Sequence, residues 1–541
     1  MNSLPMRAFE PELQPAVFRE IDRALAANNV LRATQLALQA LDAGHRAPLL
    51  FAIRAHWKKR EGRMEAALAD FECVQEFDSA NASNLNEIAG CLNALGRHRK
   101  AIAAASEAIE LRPGMAMAWF HKGFAHQMLT ELQPAELSYR EAIRLDSTIV
   151  DAHGRLAGLA AARGDCAEAR QHAANALAIQ PNHPIAALTL ASSALADGNL
   201  AEAEPRIQAL LSYPTPLVRA VASSHLGDLR DAQGRTGEAF AAYRDAGAQW
   251  RAFYAPQFAR RRPATDLLSR TTCDVDALPQ GGWQVAGPLK QTGARLAFIM
   301  GFPRSGTTLL GSVFAGRANV TVLEERPLLD RAIAELAEPD GGVAKLAALS
   351  DAEIESYRAD FWMRAARYGA CEGLIIDQTA LNTAYLPVIL RLFPDAKIVF
   401  ALRDPRDVVF SAFRRTFGPN PFTLEFHGLE STARLYDRTM TLAETCRDKL
   451  GFALFETRHE TLIADFDGET KRLCGYLEIP WDESLRDHHK RHAAMATRSA
   501  AQVRRGLNSE GVGAWRRYAT QCAPVLPVLA PWVKQFGYPA E

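Results

Sequence analysis

Across the first 250 residues, small apolar positions recur with a single period. Ala33, Ala67, Ala101, Ala135, Ala169 and Ala203 are each 34 residues apart, and Gly62, Gly96, Gly164 and Gly198 keep that spacing with Thr130 in the intervening slot. A small residue in fixed register lets two antiparallel helices approach closely, and the glycines mark the turns that join paired helices. Pro113 and Pro181 fall at the breaks between units, and a seventh unit follows through Gly234 and Ala239 after a two-residue shift. The pattern predicts an all-α solenoid over residues 15–248, with its core between neighbouring repeats and a concave groove exposed. Trp57, Phe71, Trp119 and Tyr139 are expected to pack between helices rather than to touch a ligand.

From Gln249 to Gln291 the period is lost and Arg, Pro and Gly accumulate, which predicts a connector with local helix. Beyond about Thr292 the pattern changes to short apolar runs bounded by turn signals, at Leu296–Met300, Leu374–Ile376 and Lys397–Leu402. Such runs read as buried strands. They alternate with helical stretches from Leu309, from Leu328 to Tyr368, at Ala384 and at Arg406. That alternation implies an α/β domain over residues 292–541 with a parallel sheet covered on both faces.

Composition narrows the function classes. The 62 basic and 62 acidic residues balance, so whole-chain charge gives no case for nucleic acid or an anionic membrane. A local exception is Arg486 to Arg517, where eight Arg or Lys stand against two acids. Eight cysteines without a Cys-x-x-Cys pair suggest free thiols in a reducing, cytoplasmic setting. Met1 to Phe18 lacks an apolar signal-peptide core, and no run of apolar residues is long enough to span a bilayer. His488 and His492, four apart, have no adjacent acid or Cys pair, and no metal site is expected.

The chemistry concentrates after the predicted strands. Gly301-Phe302-Pro303-Arg304-Ser305-Gly306-Thr307-Thr308 follows the first apolar run and leads into a helix. Unpaired backbone N–H groups and the positive end of the helix dipole meet in such a loop, which makes it a phosphate cradle. Its spacing approaches that of a nucleotide-triphosphatase P-loop, but Thr307 stands where that loop has its lysine, and the only loop cation is Arg304. A smaller anionic group that needs no metal suits it better than a nucleoside triphosphate. A second cradle follows the Lys397–Leu402 run, where Arg403 ends the strand, Pro405 opens a helix, and Ser411 lies eight residues on from Arg403.

These segments resemble those of the sulfotransferases that use 3′-phosphoadenosine 5′-phosphosulfate (PAPS), and the helical register resembles tetratricopeptide repeats. The resemblance is closest to tyrosylprotein sulfotransferases and their repeat-bearing bacterial relatives. It implies that Pro303, Arg304, Ser305, Gly306, Thr307 and Thr308 hold the 5′-phosphosulfate, and that Arg403, Ser411 and Arg415 hold the 3′-phosphate. Glu325, the second acid of Glu324-Glu325, matches the general base that takes the acceptor proton, and Ser499 matches a serine acting on the leaving phosphate. The cofactor implied is PAPS, without a metal, and the repeat groove would take a protein or peptide, the acceptor among the candidates. Two departures stand out. Pro327 replaces the family arginine two residues past the base, with Arg326 one position away, and Gln378 replaces the lysine that steadies the bridging oxygen. Arg458-His459-Glu460 stands where the family often has a Tyr-Glu turn. The second of these departures keeps another reading open, that of a nucleotide-binding adaptor with weakened or lost catalysis that works through its repeats.

Overall fold

The computed structural model describes residues 16–283, 294–337, 342–488 and 507–540. Seven helix pairs come first: α1 (Ala16–Ala26) and α2 (Val30–Asp42), α3 (Pro48–Arg60) and α4 (Met64–Phe77), α5 (Ala82–Ala94) and α6 (His98–Leu111), α7 (Ala116–Met128) and α8 (Leu132–Leu145), α9 (Val150–Arg163) and α10 (Cys166–Ile179), α11 (Pro184–Ala196) and α12 (Leu200–Leu211), α13 (Pro216–Ala232) and α14 (Thr236–Tyr254). The expected solenoid is present. All six alanines of the 34-residue register are 0% exposed, as is Ala239 after the shift. Phe71 and Tyr139 are buried, while Trp57 and Trp119 are half-buried.

The turns obey the same register. Asn28, Gly62, Gly96, Thr130, Gly164, Gly198 and Gly234 all have positive φ, from 53° to 83°. Each ends the first helix of a pair left-handed, a conformation that glycine adopts without cost and a β-branched residue does not. Thr130, at φ 59°, is therefore strained where its neighbours in the register are relaxed.

Two compact units divide the chain: one holds the residues up to Leu159 together with Gln171–Ala186, the other Ala160–Arg170 and Ala187–Glu541. The second unit thus contains the last repeat, α13 and α14, together with the sheet. A helix within the connector, α15 (Ala264–Asp276), packs there against the long helix Leu429–Leu450.

The sheet has five strands, β1 (Ala294–Gly301), β2 (Val320–Glu324), β3 (Gly373–Gln378), β4 (Lys397–Leu402) and β5 (Leu454–Arg458), in the order β2-β3-β1-β4-β5. Every pairing is parallel, from Ala294 opposite Gly373 to Leu402 opposite Arg458. Helices cover both faces, with one core cluster around Phe298, Phe361 and Phe393 and another around Ile299, Val313 and Leu473. β1, β3 and β4 match the predicted runs, and the edge strands β2 and β5 are additional. The edges are only half-buried, so they lack the continuous apolar run that marks the central strands. The chain winds to one side of β1 and then the other, so the ends of β1 and β4 flank a topological switch point, where open α/β sheets bind ligands.

Two substitutions test the repeat packing with opposite signs. Thr130→Gly removes the left-handed strain and is expected to raise unfolding stability by about 1 kcal/mol. Gly227→Ala drives a methyl into the Tyr243 ring and is expected to lower stability by about 1–3 kcal/mol. Chemical denaturation followed by circular dichroism checks both; a gain from Gly227→Ala or a loss from Thr130→Gly would contradict this account.

Candidate active site

The loop after β1 forms as the sequence pattern suggests. β1 runs to Gly301, and α16 (Thr307–Phe314) begins immediately after Gly306. Gly306 has φ 106°, which favours glycine, and a Cβ there would crowd the His459 Nδ1 at 3.0 Å. Pro303, Ser305, Thr307 and Thr308 are buried, and the Ser305 N–H donates to the Phe302 carbonyl at 3.0 Å. Arg304 sits left-handed at φ 79°.

Across the switch point, Asp404 caps α17 (Pro405–Phe413) by accepting from the Arg406 N–H, and Pro405 occupies the first turn. Arg304 Nε donates to Ser411 Oγ at 3.0 Å, which joins the loop after β1 to α17 although 107 residues separate them. Arg403 Nη1 donates to the Arg304 carbonyl at 3.2 Å, and Nη2 to the Gly511 carbonyl. Asp407 accepts from the backbone N–H groups of Gly513 and Trp515 at 2.6 and 2.9 Å, so the segment around 511–515 is docked on α17. Burial pushes the Arg403 pKa below its usual value.

Among the described residues, four buried side-chain atoms around the ends of β1, β4 and β5 have no hydrogen-bond partner: Ser305 Oγ, Arg403 Nε, Thr457 Oγ1 and His459 Nδ1. They come from the loop after β1, the end of β4 and the end of β5. Leaving a buried polar atom unsatisfied costs about 1–3 kcal/mol, so four together mark a place where an oxygen-rich ligand would supply the missing partners. Burial, with Arg403 and Arg304 nearby, pushes the His459 pKa down to about 3, so its imidazole is neutral near pH 7. Sequence spacing does not single out Thr457, while His459 lies in the Arg458-His459-Glu460 segment that stands at the family's Tyr-Glu turn.

The other side of the crest carries Glu324 and Glu325 at the end of β2. Glu324 is opposite Gln378 in the β2–β3 register, and the Glu325 N–H donates to the Gln378 carbonyl at 3.0 Å. Glu325 is exposed and left-handed at φ 47°. Strained non-glycine backbone, of order 1–3 kcal/mol per residue, gathers at functional sites, and here it falls on Arg304 and Glu325. Gln378 is 2% exposed, and its amide lies so close to Gly311 of α16 that a Cβ at 311 would overlap it. The neighbouring carboxyl of Asp377 is pushed up to about 7 by burial, against a 2.8 Å hydrogen bond from Thr379.

The remaining candidates have partners of their own. Arg415 Nη1 donates to Asp228 of α13 at 2.9 Å. Arg326 lies over the Tyr368 ring, 4.7 Å from its centroid. His488 is a core residue, 0% exposed and stacked on Phe466. Ser499 and His492 fall outside the described residues. Among the described residues no cluster of His, Cys, Asp and Glu could hold a metal, and no helix is long and apolar enough to cross a membrane.

Residues 297–483 match the model of the sulfotransferase family. The chain is similar to an uncharacterised protein of Aquifex aeolicus, 24% identical over 254 residues, which are 45% of this chain and 33% of that protein. It is also similar to the protein-tyrosine sulfotransferase of Drosophila melanogaster, 24% identical over 257 residues, 43% of this chain and 51% of that enzyme. The match thus spans between a third and about half of the length of these relatives. Among solved structures, a tetratricopeptide repeat protein of Parabacteroides merdae covers 43% of this chain and is itself covered over 91%, at 19% identity and a TM-score of 0.34.

The depressed histidine gives a pH prediction. The unfolded chain protonates His459 near the ordinary 6.5, whereas the folded chain does so only near 3. The contribution is therefore complete above about pH 6.5 and is lost as pH falls towards 3. Between about pH 7 and pH 5 the wild type is expected to lose about 1–2 kcal/mol more stability than His459→Gln. Denaturant titrations at both pH values measure the difference, and equal losses in the two proteins would refute it.

Proposed function

We propose that this chain is a sulfotransferase that moves a sulfuryl group from PAPS to a hydroxyl of a protein or peptide presented by the repeats. The observation that carries the reading is the set of four unpartnered buried polar atoms around Arg304 and Arg403, at the switch point of the sheet. A phosphate- or sulfate-bearing ligand offers several acceptor oxygens, which suits fixed guanidinium and hydroxyl donors. The residues present fit the nucleotide: Pro303 to Thr308 would hold the 5′-phosphosulfate, and Arg403 and Ser411 the 3′-phosphate, with Arg415 one turn further on. Bound there, PAPS supplies an activated sulfuryl group.

The remaining work falls to the chain's own side chains. Arg304, held by Ser411, presents a fixed positive charge beside the loop amides, where negative charge is to be stabilised. Glu325, exposed at the mouth, accepts the proton of the acceptor hydroxyl. Its left-handed backbone is pinned to β3 through the Gln378 carbonyl, which fixes the starting point of the carboxylate. Ser499 acts on the leaving phosphate. The protein acceptor rests on the similarity to the protein-tyrosine sulfotransferase of Drosophila melanogaster and on the repeat solenoid.

A second reading, the nucleotide-binding adaptor with weakened or lost catalysis, is favoured by Gln378. Its side chain is uncharged and packed on α16, so it brings no cation to the bridging oxygen. Losing one donor aimed at developing charge costs roughly 10²–10³ in rate. The two readings share the nucleotide site and differ in turnover.

Calorimetry with 3′-phosphoadenosine 5′-phosphate beside 5′-AMP tests the site. Micromolar binding that requires the 3′-phosphate is expected, and Arg403→Ala should weaken it roughly 10- to 100-fold, the equivalent of about 1.5–3 kcal/mol for charge-assisted hydrogen bonds. Equal affinity for both nucleotides would remove the PAPS reading. For turnover, Glu325→Gly should cut sulfuryl transfer to peptide by about 10²–10⁴-fold while leaving stability unchanged or higher by up to about 1 kcal/mol. Tight binding with no transfer by the wild type to any tested hydroxyl would favour the adaptor.

A further inference from the structure

The last repeat contributes two half-buried acids to the same compact unit as the sheet. On α13, Asp231 accepts from the Tyr518 hydroxyl at 2.7 Å, from Arg517 at 3.0 Å and from Arg414 at 3.3 Å. One turn earlier, Asp228 receives the Tyr243 hydroxyl of α14 on Oδ1 and Arg415 Nη1 on Oδ2, both at 2.9 Å. Asp228 is therefore fixed from both oxygens, by its own repeat on one side and by the sheet domain on the other. Gly227 next to it sits against the Tyr243 ring with no room for a side chain, so the spacing of α13 and α14 sets where this carboxylate stands.

Arg415 lies four residues beyond Ser411, and its N–H donates to the Ala412 carbonyl at 3.2 Å, so the turn of α17 continues that far. Ser411 accepts from Arg304, whose carbonyl accepts from Arg403. A guanidinium has five N–H donors in a rigid fork, and Asp228 engages one end of the Arg415 fork. The Arg415 and Asp228 side chains keep 30% and 27% of their surface exposed, so the pair borders open space rather than closed core. Asp228, first among its neighbours, holds the Arg415 charge in place, and Arg415 with Arg414 keeps the carboxyl ionised against its burial.

We infer that Asp228 is a positioning residue for Arg415, and that the last helical repeat is thereby a working part of the nucleotide site rather than only a spacer. The inference rests on the nucleotide reading proposed above. An arginine beyond the end of a helix has four side-chain torsions to fix, and an ion pair with a rigid acid removes most of that freedom before any ligand arrives. The repeat supplies the order, and the remaining donors of the fork are left for a 3′-phosphate.

The test uses the full chain in six forms: wild type, Asp228→Asn, Asp228→Glu, Arg415→Ala, the double variant of Asp228→Asn with Arg415→Ala, and Asp231→Asn as a control at the same seam. Each is titrated with 3′-phosphoadenosine 5′-phosphate and with 5′-AMP, and its melting temperature is recorded. Asp228→Asn keeps an acceptor for Tyr243 and is expected to weaken the 3′-phosphorylated nucleotide by about tenfold, with 5′-AMP unchanged. The same substitution in the Arg415→Ala background should have no further effect, because the residue acts through the arginine. Asp231→Asn should leave the ratio of the two nucleotides as in the wild type, and Asp228→Glu should restore part of the loss. An unchanged ratio in Asp228→Asn overturns the inference while the nucleotide reading stands, as does an equal loss for both nucleotides or an additive double variant. A wild type without preference for the 3′-phosphate overturns both.

Discussion

The crest of the sheet depends on one buried cation. Arg403, 8% exposed, ends β4 and reaches two other parts of the chain, the loop after β1 through the Arg304 carbonyl and the segment at Gly511 through a second carbonyl. Among the described residues its hydrogen-bond partners are neutral carbonyl oxygens, and its Nε has none. Asp407, Glu460 and Asp404 support its charge from further off, which is too weak to undo the burial. A guanidinium held this way orders the site and leaves its charge short of a close counter-ion. That combination favours an anionic ligand, because a buried charge is costly until it is paired.

The elements around Arg403 are built to keep it there. Gly511 is placed where a Cβ would come within 2.7 Å of the guanidinium, and Asp407 clamps the backbone two and four residues further along. Arg406 holds the chain's last described residues through the carbonyls of Pro539 and Ala540 while paired with Asp404 at 2.8 Å. Tyr538 donates to Glu460 at 2.9 Å, which in turn accepts from the Asp404 N–H at 3.1 Å. The C-terminal stretch therefore braces the helix that carries Ser411, and α13 braces the far end of the same helix. A side chain on a short element that several segments brace is held more firmly than one on an unsupported loop.

Much of the architecture was legible before any coordinates. The repeat register is local and regular, so each small residue reports its own packing, and the apolar central strands are marked by burial on both faces. The edge strands were less legible because a five-residue, half-exposed run such as Leu454–Arg458 has no distinct pattern. The two strand-to-helix loops could be read from spacing, since strand, loop and helix are consecutive in the chain. The place of His459 beside Gly306 could not, although resemblance marks Arg458-His459-Glu460, because nothing near that segment in sequence says which strand end will lie there. Arg415 shows the same limit from the other side: spacing places it one turn after Ser411, but its partner Asp228 is 187 residues away.

The sequence by itself determined what depends on neighbours in the chain: the helix pairs, their left-handed turns, the strand, loop and helix around Gly306, and the helix that opens at Pro405 after β4. Only the tertiary structure decided what depends on distant segments meeting: the joining of Arg304 to Ser411, the four polar atoms left without partners, the packing of Gln378 on Gly311, and the pairing of the last repeat with Arg414 and Arg415. The division has a physical cause. Turns, caps and amphipathic faces are set by steric rules and hydrogen bonds within a few residues. Charge pairing and burial depend on which surfaces the whole chain brings together, and no local pattern encodes them.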